Sequence, residues 1–131
     1  MLVSQIAKDA GVKDHPVILV AEDEAIIGYD LCDTVEEAGY IVEGPHGDVS
    51  SAMRAVQSNR PDLAILDIAL GDEMVYPLAE RLMEQRVPVI FHSGHVAPED
   101  MLARFPEVRA LAKPCPPTAM LENVAAALAA A

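Results

Sequence analysis

The chain has 131 residues, 52% of them hydrophobic, which supplies one core for one domain and leaves no room for a second of ordinary size. Its formal net charge of -12, from 21 acidic and 9 basic residues, excludes the basic stripe that nucleic-acid binding requires and suits cation or protein partners instead. Two cysteines, Cys32 and Cys115, are too few for a disulfide framework, and no stretch resembles a signal peptide or a membrane span, so a soluble cytoplasmic protein is expected.

Residues 1–15 read as a short N-terminal extension, and residues 16–131 as the domain. Val17, Ile18, Leu19, Val20 and Ala21 form a continuous apolar run, as in a parallel strand covered on both faces. Ile27, Leu31, Val35 and Ala38 recur at helical spacing over residues 25–38, and Gly39 stops the pattern. Residues 40–42 form a short second strand, ended by the turn composition Gly44-Pro45-His46-Gly47. Asp48 caps a helix running to Asn59, with Ala52, Ala55 and Val56 inward. Residues 63–67 form the third strand, and a loop holding Gly71 leads to a helix over 75–85 with Leu78 and Leu82 inward. The fourth strand covers 87–91, with Pro88 at its start, where a missing N–H is tolerable. Pro98 opens a short helix to Phe105, residues 108–112 form a weaker fifth strand, and Pro117 opens an alanine-rich last helix.

Strand and helix thus alternate five times, which predicts an α/β fold with a parallel sheet and right-handed crossovers. Ligands of such sheets sit beyond the carboxyl ends of the strands. Glu22 and Asp23 follow the first strand and Asp67 ends the third. Ser93 lies two residues past the fourth strand's last apolar residue, and Lys113 follows the fifth. Singly, each has an ordinary explanation as a turn former, a solvated helix start or a surface lysine. Their convergence on one sheet edge points to chemistry. Three clustered carboxylates repel one another, and a hard divalent cation such as Mg2+ relieves this with oxygen ligands. Asp67 is a plausible nucleophile toward phosphorus and a metal ligand; Asp23, with Glu22 directly or through water, holds the metal, and the carbonyl of Ala69 is a further ligand. Lys113 and Ser93 are then expected to contact the phosphoryl oxygens.

The segments Val20-Ala21-Glu22-Asp23-Glu24, Leu66-Asp67, Ser93-Gly94 and Lys113-Pro114 resemble a response-regulator receiver domain of two-component signalling, over about residues 16–130. The resemblance implies a flavodoxin-like, doubly wound five-stranded sheet of order 2-1-3-4-5. It also implies Asp67 as phosphoacceptor, Glu22 and Asp23 as the acidic pair, Ser93 as the switch hydroxyl and Lys113 as the essential lysine. The implied partners are a sensor histidine kinase or phosphotransfer protein and a downstream protein target, reached by contact or phosphorelay. Such a chain is a single-domain switch and not an enzyme in the substrate-turnover sense, although it catalyses its own phosphorylation and dephosphorylation.

Receivers commonly carry Tyr or Phe three residues before the lysine, where this chain has Ala110. Together with the run from Pro88 to His95, this resembles the atypical "FAT GUY" receivers, often stand-alone proteins. Without that ring, the segment from His92 to Phe105 is expected to rearrange most on phosphorylation. His92 and His95 read as solvent-facing loop residues and not as a transition-metal pair. Three other readings remain: a phosphorylation-independent receiver-like interaction module, a haloacid-dehalogenase-like phosphohydrolase, and a flavodoxin-like cofactor binder. The phosphohydrolase would want a second carboxylate where Ala69 stands, and the cofactor binder a phosphate loop where Glu22-Asp23-Glu24 stands.

Overall fold

Val17–Ala21 (β1) is an interior strand, and Ile18, Leu19, Val20 and Ala21 are each no more than 2% exposed because both faces of the strand are covered. The computed structural model describes residues 15–94 and 99–131, so the proposed N-terminal extension lies outside the described residues except for His15. β1 pairs in parallel with Ile41–His46 (β2) on one side and Leu63–Leu66 (β3) on the other. Val89–Ser93 (β6) pairs with β3, and Arg109–Ala112 (β7) closes the far edge. The order β2-β1-β3-β6-β7 is the expected 2-1-3-4-5 arrangement of a flavodoxin-like sheet.

Alternation along the strands divides the core into two layers. Ile18, Val20, Leu63, Ile65 and Ile90 face Ala25–Glu37 (α1) and Pro117–Ala130 (α5), and pack on Leu31, Cys32, Val35, Met120 and Val124. Leu19, Ala21, Ala64, Leu66 and Phe91 face Val49–Ser58 (α2), Tyr76–Glu84 (α3) and Glu99–Arg104 (α4), meeting Ala52, Val56, Leu78, Leu82 and Met101. Cys32 is a small core hydrophobe, as expected, and burial pushes its thiol up to about 11. Asp48 caps α2 by accepting a hydrogen bond from the Ser51 N–H at 2.7 Å.

On the second face, α4 is held to α3 by aromatic rings. Phe105, just past α4, meets Phe91 edge-on at 5.6 Å and Tyr76 at 5.9 Å. The Arg104 guanidinium lies 4.8 Å above the Tyr76 ring and pairs with Glu80. No helix among the described residues is long and apolar enough to cross a membrane.

Several local expectations are corrected. β2 does not stop at Val42 but runs on through Gly44 and Pro45 to His46, whose carbonyl accepts from the Glu22 N–H at 2.9 Å. The Gly71 loop contains a small antiparallel pair, Ala69–Leu70 (β4) with Glu73–Met74 (β5). The fourth sheet strand starts two residues later than expected, at Val89, and reaches Ser93. Ala38, expected inward, is the exposed C-cap of α1.

Gly44 is required where β2 bulges against β1. Its φ is +133°, and a Cβ added there would stand 2.4 Å from the Val20 carbonyl oxygen. Gly44→Ala should therefore destabilise the fold by about 2 kcal/mol or more, measured by urea denaturation. A midpoint unchanged from wild type would mean that this backbone has no need of glycine.

Candidate functional site

The ladder registers bring four loops to one level. Ala21 pairs with Leu66, Leu66 with Phe91, and Ser93 with Ala112. Glu22, Asp67 and Lys113 each come directly after one of these paired residues, and Ser93 is the last residue of β6. Backbone hydrogen bonds continue the ladder into the site: the Asp67 N–H donates to the Ala21 carbonyl at 2.9 Å, and the Lys113 N–H to the Ser93 carbonyl at 2.8 Å.

The acidic side chains converge as the strand ends suggest. Glu22, Asp23 and Asp67 each offer a carboxylate oxygen, all within 4.8 Å of one another. The Lys113 ammonium enters this cluster, with Nζ 2.5 Å from Glu22 Oε1, 2.9 Å from Asp67 Oδ2 and 3.9 Å from Glu24 Oε1. The Glu22 side chain is 1% exposed, whereas those of Asp67 and Lys113 are each 10% exposed. Asp23 is exposed, and its Oδ2 accepts from the Gly71 N–H at 2.9 Å, so the β4–β5 turn orients it. Asp67 Oδ1 faces the Ala69 N–H at 3.4 Å.

Burial and charge pull in opposite directions here. Burial pushes the Glu22 carboxyl up, and hydrogen bonds from Lys113 and the Glu24 N–H only partly offset it. Burial alone would lower Lys113, but the hydrogen bonds and charges of Glu22 and Asp67 outweigh it and hold the ammonium above its usual range. The lysine thus serves as counter-ion to a crowded carboxylate cluster.

Asp23, Asp67, Ala69, Ser93 and Lys113 line one cavity of about 450 Å³, and Glu22 lies buried beneath it. The structure therefore gathers all six predicted residues at one place. It adds three that sequence reasoning left out: Gly71, which anchors Asp23; Glu24, which lies near Lys113; and Met74, which walls the cavity. Gly71 carries a signal as the glycine of its loop, and the structure places it in a tight turn at φ +60°. The donor set also fits Mg2+, because three carboxylates within one small volume supply hard oxygen ligands.

A family profile described as "Response regulator receiver domain" matches residues 18–125. The chain belongs to the response regulator receiver family. Among curated proteins it is similar to Transcriptional regulatory protein PdtaR of Mycobacterium tuberculosis, 30% identical over 95 residues. That match covers 72% of this chain and 46% of the relative, so the chain spans about half the length of the curated relatives it matches. Among solved structures, the signal receiver domain of a modulated diguanylate cyclase from Desulfovibrio desulfuricans G20 superimposes with a TM-score of 0.80 at 28% identity, covering 89% of this chain and 96% of that one. A response regulator receiver protein from Sinorhizobium medicae WSM419 gives 0.80 at 26% identity, over 89% and 97%.

Two positions singled out in the sequence can now be placed. Ala110 is exposed on β7, paired with Phe91, so no ring extends from that position. His92, expected to face solvent, instead lies on β6 and is 6% exposed, because the strand runs two residues further than its apolar run suggests. It points to the same face as Ile90, toward α1 and α5. Its proposed loop neighbour, His95, lies outside the described residues, as do positions 96–98 of the segment expected to rearrange.

Proposed function

We propose that this receiver domain is a phosphorylation switch in which Asp67 accepts a phosphoryl group in the presence of Mg2+. The observation that supports it most is the pairing of Asp67 with Lys113 at the wall of an open cavity, beside two further carboxylates. The donor is the phosphohistidine of a sensor histidine kinase or phosphotransfer protein. The output is contact with a downstream protein or a phosphorelay.

In the transfer, one Asp67 carboxylate oxygen forms a bond to phosphorus while the P–N bond of the donor breaks, its electron pair leaving with the imidazole. Bound by Glu22, Asp23, Asp67 and the Ala69 carbonyl, Mg2+ would offset the negative charge on the phosphoryl oxygens. Lys113 exchanges its bond to the Asp67 carboxylate for one to a phosphoryl oxygen. Ser93, joined to Lys113 through the backbone, donates its hydroxyl to another. Water hydrolyses the acyl phosphate later, or a partner takes the phosphoryl group.

Treatment with acetyl phosphate tests this reading, the P–O bond to acetate then being the one that breaks. Intact-mass measurement should find a single phosphoryl adduct with Mg2+, and adduct formation at least about tenfold slower in excess EDTA. No adduct, or equal uptake in EDTA, would overturn it.

A further inference from the structure

A second cavity, of about 520 Å³, opens between α1, α5 and the carboxyl ends of β6 and β7. Its size lies within the range of small-molecule pockets. Ile27 and Leu31 of α1 and Pro117 and Met120 of α5 form apolar walls. His92 contributes to the lining from the sheet, and its Nε2 is buried with no hydrogen-bond partner among the described residues. Burial, and then the nearby Lys113 ammonium, push the imidazole's pKa down, which favours the uncharged ring. A buried polar atom without a partner is costly, and most such atoms in folded proteins are satisfied by protein, water or ligand.

The exposed side of the cavity carries the opposite chemistry. Glu24 and Asp30 are its solvent-facing acids, and among the described residues the cationic side chain in the lining, Lys113, is already engaged by Glu22 and Asp67 and lies 3.9 Å from Glu24. An apolar space with an unsatisfied imidazole inside and carboxylates at its exposed side matches a short amphiphile with a hydroxyl at one end and an ammonium at the other. We propose that this cavity binds a small hydroxylated aromatic amine, its hydroxyl on His92 and its ammonium beside Asp30 and Glu24. The site adjoins the phosphoryl cavity, and Glu24, Gly94 and Lys113 form part of both linings.

Tyramine is a suitable probe. Titrated into the 15N-labelled intact chain, it should give saturable amide shifts at Ile27, Leu31, His92 and Met120. Phenethylamine, which lacks the hydroxyl, should bind at least about fivefold more weakly. 4-Hydroxyphenylacetate, of opposite charge, should bind at least about tenfold more weakly. His92→Phe should bring tyramine and phenethylamine to equal affinity. Thr34→Phe, and independently Cys115→Met from the opposite wall, should fill the space and weaken tyramine binding. The absence of saturable shifts would overturn the proposal, as would equal affinity for tyramine and 4-hydroxyphenylacetate or tyramine binding unchanged in both filled variants.

Discussion

Replacing Asp67 by asparagine should abolish the adduct that acetyl phosphate and Mg2+ leave on the intact protein. The amide matches the carboxylate in shape, so the loop after β3 keeps its geometry, and the new side chain still meets the Ala69 N–H through its carbonyl oxygen. It lacks the anionic oxygen that the proposed transfer requires. Lys113 retains Glu22 as a partner at 2.5 Å, so the variant should fold. Intact-mass comparison of the two proteins under identical treatment is decisive. An adduct of equal yield on Asp67→Asn would place the phosphoryl group on another residue and remove Asp67 from the mechanism.

The largest effect on stability is expected at Lys113. Its ammonium is the counter-ion of a glutamate that is 1% exposed and an aspartate that is 10% exposed. Removing one partner of a buried pair leaves the other's charge uncompensated, which costs about 3 kcal/mol or more. Lys113→Ala should lose that much in urea denaturation carried out in EDTA. Lys113→Met, which keeps the apolar stem, separates the charge from the packing. Mg2+ should restore part of the loss, because an ion held by Glu22, Asp23 and Asp67 would compete with the ammonium for the same carboxylates. The gain in melting temperature on adding Mg2+ should thus be larger for both variants than for wild type. Equal gains in all three proteins would show that Lys113 and the metal do not share ligands.

The parts of this fold that were legible in the sequence are those with a strong local signal. Val17–Ala21 and Leu63–Leu66 are apolar on both faces, and only a covered parallel strand needs that. The site could be read for the same reason. In a parallel sheet the residues after the strands come together whatever the loops do, so Glu22, Asp23, Asp67 and Lys113 could be named without knowing their distances. Non-local pairing hid the rest. Gly44-Pro45-His46-Gly47 has the composition of a turn, yet the Glu22 N–H draws the His46 carbonyl into the sheet from more than twenty positions away. The β4–β5 pair has two residues per strand, too short for any periodicity to register. His92 sits beside Ser93 and Gly94, which suggest a loop, and only the register with Leu111 shows that it is a strand residue facing α1 and α5. The bridge from Lys113 to Glu22 had no sequence signal, since a basic residue expected to meet phosphate was not expected to neutralise the acids first.

The aromatic contact between α3 and α4 bears on how this receiver domain responds to ionic strength. Arg104 and Glu80 are both about half exposed, so salt screens their attraction and they contribute little. The Phe91, Phe105 and Tyr76 rings carry no net charge, and dissolved ions leave their packing intact. Phe91 lies two residues before Ser93 on the same strand, so α4 stays joined to the carboxyl end of the sheet in dilute and concentrated salt alike.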